Sequence, residues 1–202
     1  MREQHDIFHR LQANIPLPKG KWDEYIRCFN RIEVPAKTIL LEEGAVSNKV
    51  FLIEKGCVRV WFNNNGKEVT FQFFFENNVV SSIESFRKKI PSIVSIETIE
   101  PCILWWAHKK DVDRILDEIK ELPELREKLI DALFERTFNY MRHFLSSIKD
   151  TPQQRYLKLI KEKPQIVQRI PQHYLASYLG ITTVHLSRIK SKLAKGKSAR
   201  RF

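Results

Sequence analysis

Six short segments rich in β-branched and aromatic residues follow one another along the chain, with no helical period between them. They are residues 37–41, 50–53, 57–62, 68–75, 93–98 and 103–107. Asn63-Asn-Asn-Gly66 joins two of these segments, and asparagine and glycine tolerate the positive φ angles of a tight hairpin. Several short strands without intervening helices predict an antiparallel β-barrel or jelly roll.

Helical spacing lies on both sides of the strands, so the fold class is predicted to be α+β. Residues 22–31 have the apolar spacing of a short amphipathic helix. The period becomes helical again from Asp111, and Pro123 suits the first turn of a long helix that runs to about Lys149. Thr151-Pro152 is expected to break this helix, because a residue before proline disfavours the helical conformation.

The long helix carries apolar residues in alternating four- and three-residue steps, a spacing typical of a coiled-coil seam between two subunits. The predicted dimer interface consists of Ile130, Phe134, Thr137, Met141, Phe144 and Ile148. We call these six residues the seam. A homodimer is therefore expected, and the alternative is that the helix packs wholly within its own chain.

The net positive charge of this 202-residue chain comes from its C-terminal end. Residues 146–202 hold 13 Lys or Arg and two acids, which accounts for the entire formal net charge of +11. A neutral body with a basic module predicts a polyanionic partner for that module, with DNA, RNA and anionic membrane as candidates. The predicted domains are a barrel over residues 1–121, a dimerisation helix and hinge over 122–150, and a basic module over 151–202.

The basic module contains the spacing of a helix-turn-helix. Residues 171–179 predict a short helix, residues 180–182 a tight turn, and residues 183–193 a second helix. Gly180 can adopt the left-handed conformation that the turn needs, and Thr182 suits the N-cap of the second helix. This motif inside a basic module favours duplex DNA as the partner over RNA and over a membrane surface.

The second helix has an apolar face, which is expected to pack on the first helix and to leave the opposite face for DNA. We predict that the base-contacting residues are Thr183, Val184, Ser187, Arg188 and Ser191. Arg188 is the strongest of them, because its guanidinium can donate two hydrogen bonds to guanine O6 and N7. We predict that the phosphate-contacting residues are Thr182, Lys190, Lys192 and Lys195.

Cysteine and histidine spacing gives no sign of a metal site or an enzyme. Cys28, Cys57 and Cys102 form no CxxC pair, and the histidines form no HxH or HExxH motif. No catalytic residue, metal or evident cofactor is predicted, and a cytoplasmic protein is expected, since an apolar membrane span and a secretory signal are both lacking. The rival interpretations are a cupin-like barrel enzyme with an accessory nucleic-acid module and an RNA-binding or structural adaptor.

Three segments carry a more specific pattern: Glu43-Gly44 with residues 50–60, residues 65–71, and residues 175–189. Through them, and through the order of barrel, dimer helix and helix-turn-helix, the chain resembles the Crp/Fnr family of bacterial transcription regulators over nearly its whole length. The resemblance implies a cyclic-nucleotide-binding-like barrel, a winged-helix-like DNA-binding domain and a homodimer on a partly palindromic site. RNA polymerase is a further partner that the resemblance allows. Only residues 165–170 are available for the wing of a winged helix.

The chain departs from the family pattern where members that bind cyclic AMP hold their ligand. Ser81-Ser82 stands at the Gly-Glu pair for the ribose, and Pro91-Ser92 stands at the Arg-Ser pair for the phosphate. Since a buried phosphate would lack its charged partner, cyclic AMP is not expected to bind in the usual way. The barrel is predicted either to bind another small molecule or to be an empty structural domain, and the predicted effector pocket is formed by Ser81, Ser82, Ser92, Phe134, Thr137 and Phe138.

Overall fold

The computed structural model of the protein describes residues 17–198 together with residues 7, 8 and 12, and of residues 19 and 196–198 it describes the backbone alone. Two compact units are present. One contains the described residues up to Val60 and Phe73–Thr137, and the other contains Trp61–Gln72 and the described residues from Phe138 onwards. None of the described helices is long and apolar enough to cross a lipid bilayer.

The barrel is built from eight strands in two four-stranded antiparallel sheets. The strands are β1 (Asn30–Val34), β2 (Ile39–Leu41), β3 (Lys49–Lys55), β4 (Val58–Asn64), β5 (Lys67–Phe74), β6 (Val79–Val80), β7 (Ser95–Thr98) and β8 (Cys102–His108). One sheet has the order β1-β8-β3-β6, and the other has the order β2-β7-β4-β5. The predicted antiparallel barrel is therefore confirmed, and Asn65 and Gly66 both have the positive φ angles expected in its β4–β5 hairpin.

Inward-facing side chains of the two sheets form one apolar core. Alternate residues of a strand point to the same side, so Phe51 and Ile53 of β3 lie with Leu104 of β8 in this core, where Val58 of β4 and Ile96 of β7 join them. Each of these five side chains is at most 5% exposed. Full burial of such a side chain contributes about 1.5–3 kcal/mol to the stability of the fold. The alternation of apolar residues along the strands therefore favours the barrel, in which one face of each sheet is buried.

Gly56 forms the turn between β3 and β4 with a φ of +108°. An alanine Cβ at this position would lie 2.5 Å from Cys102 Sγ and 2.9 Å from the Pro101 carbonyl oxygen. We expect Gly56→Ala to lower the free energy of unfolding by about 2–4 kcal/mol, because backbone strain and overpacking act together. Gly66→Ala is the matched control, since Gly66 has a φ of +83° but no atom within 4 Å of the added carbon. Urea unfolding of both variants tests this, and equal losses would contradict the steric contribution.

The chain enters the barrel differently from the sequence prediction. Helix α1 (Lys19–Arg27) ends early, and Arg31, which was predicted to be helical, lies in β1 opposite Trp105 of β8. The backbone pairing with a distant strand overrides the local helical spacing at this point. Strand β6 and helix α2 (Ile83–Lys88) were not predicted, because segments of two and six residues are too short to show a period.

Two helices follow the barrel: α3 (Lys109–Lys120) and α4 (Pro123–Lys149). Helix α4 has the predicted bounds, and Leu125 is its buried residue. The seam is solvent-exposed in the single chain, from 43% at Ile130 to 66% at Ile148. The described residues of the chain therefore leave the seam uncovered.

The second unit continues with four helices: α5 (Pro152–Glu162), α6 (Pro164–Arg169), α7 (Gln172–Tyr178) and α8 (Thr183–Ser198). The predicted break at Thr151-Pro152 is confirmed, and Thr151 forms a capping box with Gln154 at the start of α5. Residues 165–169 lie in α6, so no strand of a wing forms in the one stretch that was available for it.

Candidate nucleic-acid interface

Helices α7 and α8 are joined by a turn whose backbone geometry is that of a helix-turn-helix. Gly180 has a φ of +67°. The Ile181 N–H donates to the Ala176 carbonyl at 3.0 Å, and the Gly180 N–H donates to the Ser177 carbonyl at 2.9 Å, a pair of bonds that ends a helix at a left-handed glycine. The His185 N–H donates to Thr182 Oγ1 at 3.2 Å, which confirms Thr182 as the N-cap of α8.

The inner faces of the two helices are apolar and fully buried. Leu175 and Ala176 of α7 and Leu186 and Ile189 of α8 are at most 5% exposed. Because these side chains hold α8 by one face, its opposite face is presented to solvent at a fixed orientation on α7.

The exposed face of α8 carries every residue that was predicted to contact bases. Thr183, Val184, Ser187, Arg188 and Ser191 are all exposed, and Val184 exposes 59% of its surface. Thr182, Lys192 and Lys195 of the predicted phosphate contacts are also exposed, and Lys190 is half-buried. This helix therefore presents hydroxyls, a methyl-bearing side chain and a guanidinium together, and these groups can read base edges in a major groove.

Ser177 of α7 is a site residue that sequence reasoning missed. Its Oγ accepts a hydrogen bond from the Thr70 N–H at 2.9 Å and donates one to the Glu68 carbonyl at 3.0 Å. Both partners lie in β5, in the part of the β4–β5 hairpin that belongs to the second unit. The hairpin is thus tied to the first helix of the helix-turn-helix, across more than a hundred residues of sequence, and a spacing pattern cannot reveal such a link.

The serines of the predicted effector pocket are engaged with each other and with the backbone. Ser92 Oγ donates to the Val94 carbonyl at 2.7 Å and lies 2.9 Å from Ser82 Oγ. Ser81 Oγ donates to the Lys49 carbonyl at 3.1 Å. The other predicted pocket residues, Phe134, Thr137 and Phe138, are exposed on α4.

Residues 31–118 match the family model of the cyclic nucleotide-binding domain. This segment spans the barrel from β1 to α3. The barrel is thus similar in sequence to cyclic nucleotide-binding domains. No curated protein matches the sequence at a significant level.

Solved structures with the same overall architecture are Crp/Fnr-type regulators. The c-di-GMP-responsive global regulator CLP of Xanthomonas campestris has a TM-score of 0.70 at 16% identity, over 89% of this chain and 93% of that one. A CooA mutant of Carboxydothermus hydrogenoformans has a TM-score of 0.67 at 16% identity, over 92% and 84%. The catabolite activator protein of Thermus thermophilus has a TM-score of 0.51 at 20% identity, over 95% and 87%. The chain therefore has the fold of these regulators.

The residues of the barrel do not fit a cyclic nucleotide held in the usual way. Ser92 is 3% exposed, and its hydroxyl is used by Ser82 and by the Val94 carbonyl. The basic residues nearest in sequence, Arg87, Lys88 and Lys89, are exposed to solvent, and Lys88 is paired with Glu84 at 2.7 Å. A phosphate buried at Ser92 would find no unused Ser92 hydroxyl, and Arg87, Lys88 and Lys89 are exposed and not buried beside it. The departure seen in the sequence therefore has a counterpart among the described residues.

The barrel also contains a fully buried ion pair. Arg59 of β4 is 2% exposed and Glu97 of β7 is 6% exposed. The Arg59 Nε lies 2.7 Å and its Nη2 lies 2.5 Å from Glu97 Oε2. The pair ties two neighbouring strands of one sheet by charge-assisted hydrogen bonds.

Proposed function

We propose that this protein is a homodimeric, sequence-specific regulator of transcription that binds duplex DNA through α8. The observation that carries this proposal is the exposed α8 face, where Arg188 stands among small polar residues near the start of the helix. The helix-turn-helix geometry supports it, because this motif places the N-terminal part of its second helix in the major groove. The protein is accordingly a binding protein of the cytoplasm, where the DNA is, and not an enzyme.

Dimerisation through the seam supports this function. The seam runs along α4, and its side chains are half or more exposed at Phe134, Met141, Phe144 and Ile148. Such a stripe on a 27-residue helix has the spacing by which two helices supercoil. A twofold dimer would carry two α8 helices and would contact half-sites about one helical turn apart.

The seam is tested by placing a charge in it. Phe144→Glu is expected to convert the dimer into a monomer at micromolar concentration, because two carboxylates would be buried at one position of a symmetric interface. Sedimentation equilibrium measures this change. Asn139→Glu is the matched control, since it adds the same charge to the same helix away from the seam, and it should leave the dimer intact. A dimer that persists in Phe144→Glu would place the interface elsewhere.

The DNA-binding proposal is tested by selecting sites from random duplex DNA with the full chain at near-physiological salt. We expect a two-fold symmetric site to be enriched, with affinity that falls steeply with salt because the basic module neutralises phosphates. Single-stranded RNA of the same length serves as the competitor. Equal competition by RNA, or enrichment of no motif with and without added cell metabolites, would contradict the proposal.

For the barrel we propose that any effector binds without the cyclic phosphate contact of the family. Saturating cyclic AMP is then expected to leave the affinity for the selected site unchanged. The region around Ser81, Ser82 and Ser92 remains the proposed place for another small molecule, with Phe134, Thr137 and Phe138 on α4 as its proposed cover. If the protein activates transcription, it also contacts RNA polymerase, which a transcription assay on the selected site would reveal.

A further inference from the structure

A cleft of about 350 Å³ lies within the second unit. It is lined by the last turns of α4, by one face of α5 and by the end of α7, and no described residue of α8 lines it. Its α4 residues include Asn139, His143 and Ser146, which lie on the side of the helix opposite the seam by helical spacing. A second subunit that packs on the seam would therefore leave the cleft open. The cleft is lined by α4, α5 and α7 and by residues that directly follow these helices, so DNA bound to α8 would not form part of its wall.

The lining of this cleft is strongly basic. The cationic lining residues are Arg142, Lys149, Arg155, Lys158 and Lys163, and the anionic ones are Asp150 and Glu162. Lys158 is paired with Asp150 at 2.5 Å, so one of the two acids is already neutralised. A concave site with this excess of positive charge attracts a multiply charged anion.

Arg155 has a structural role in this cleft. Its guanidinium donates to the Asp150 carbonyl and to the Leu179 carbonyl, each at 2.8 Å. It therefore joins the end of α4 to the end of α7 and holds the walls of the cleft in place. Lys149 and Lys163, by contrast, form no ion pair with any residue that the structure describes, and their ammonium groups are available to a ligand.

The floor of the cleft offers a neutral hydrogen-bond donor. The His143 ring stacks on the Tyr178 ring, with centroids 4.9 Å apart and an interplanar angle of 16°. Burial lowers the pKa of His143, and the charges of Lys163 and Arg155 lower that pKa further. Burial raises the pKa of Tyr178 to about 12, so its phenol keeps its proton at neutral pH. The neutral imidazole of His143 can donate a hydrogen bond to an anion.

We propose that this cleft binds a small phosphorylated molecule, whose phosphate is held by Lys149 and Lys163 over the His143–Tyr178 floor. The volume lies at the lower end of the range of about 300–1,000 Å³ that is usual for small-molecule sites. A phosphate dianion matches a site with two unpaired ammonium groups and a neutral donor beneath them. The site is separate from the exposed face of α8, so this proposal does not depend on DNA binding by that face.

The binding test uses inorganic pyrophosphate as the probe and His143 as the reporter. Histidine resonances of the full chain are followed by NMR at constant ionic strength, with His143 assigned through His143→Gln. We expect pyrophosphate to raise the pKa of His143 in a saturable manner, because a bound anion stabilises the imidazolium and offsets the charges of Lys163 and Arg155. No saturable change at His143 would overturn the proposal.

Lysine variants distinguish a specific binding site from general attraction of anions to a basic surface. Lys163→Gln is expected to weaken pyrophosphate binding about tenfold, the loss of one charge-assisted hydrogen bond, and Lys163→Arg should restore most of it. Lys161→Gln is the matched control, since it removes the same charge two residues away, in the last turn of α5, at a residue that does not line the cleft. Equal weakening by both glutamine variants would overturn the proposal. So would a His143 response to duplex DNA that pyrophosphate fails to produce, because the cleft would then be a contact for the DNA backbone.

Discussion

Replacing Glu97 with alanine is expected to lower the free energy of unfolding by about 3–5 kcal/mol. The carboxylate accepts a hydrogen bond from Arg59 Nε at 2.7 Å and forms an ion pair with Arg59 Nη2 at 2.5 Å, inside a sheet where both residues are at most 6% exposed. Without Glu97, the Arg59 guanidinium would remain buried without its countercharge, and desolvation of an uncompensated ion is costly. Equilibrium denaturation in urea measures the loss.

The double variant Arg59→Met, Glu97→Leu is the control for this prediction. Removing both charges and filling the space with apolar atoms is often neutral or stabilising, so the double variant should be far more stable than Glu97→Ala. A double variant as unstable as the single one would show that the ion pair is not what the alanine substitution disturbs. Strong coupling in the double-mutant cycle would confirm that the two residues act as a pair.

Arg188→Ala is expected to weaken binding to the selected DNA site by about 1–3 kcal/mol and to relax the preference at one base position in each half-site. Arg188 is exposed on the outer face of α8, and its planar guanidinium can match the two acceptors of guanine in the major groove. Repeating the site selection with the variant, alongside affinity measurements at several salt concentrations, gives both quantities.

Arg188→Lys distinguishes base reading from charge alone. Lysine keeps the charge but lacks the planar pair of donors, so this variant should keep the salt dependence of the original protein and still lose the base preference. Lys192→Ala should do the reverse, with uniformly weaker binding to all sequences and an unchanged preference. An unaltered preference in Arg188→Ala would remove Arg188 from the base-contacting residues.

Local patterns in the sequence predict much of this fold. The β4–β5 hairpin was predicted from Asn63 to Gly66, and Asn65 and Gly66 have the positive φ angles that the turn needs. The start of α4 at Pro123, the break at Thr151 and the cap at Thr182 were also predicted. Each of these features is set by residues within one turn of each other, so their chemistry can be read in order along the chain.

Long-range pairing could not be predicted from local patterns, because it joins residues that are far apart along the chain. Arg31 pairs with Trp105 across the sheet, and the spacing of residues near Arg31 does not indicate a partner so far along the chain. The serines at 81, 82 and 92 could be identified as a departure from the cyclic AMP motif. The contact between Ser82 and Ser92 and the bond from Ser81 to the Lys49 carbonyl depend on how a loop, a short strand and a short helix meet. The residues of the proposed DNA interface were predictable because they all lie on one helix with one buried face.

The sequence by itself determined the antiparallel barrel, the long helix with its seam and the helix-turn-helix with its exposed residues, because periodicity, turn chemistry and charge act over a few neighbouring positions. The tertiary structure alone decided that Arg59 meets Glu97, that Ser177 bonds to strand β5, and that His143 and Tyr178 stack in the lining of a basic cleft. Those contacts join residues 35 or more positions apart. Their existence depends on the packing of whole elements, since burial and hydrogen-bond geometry are set only after distant segments have come together.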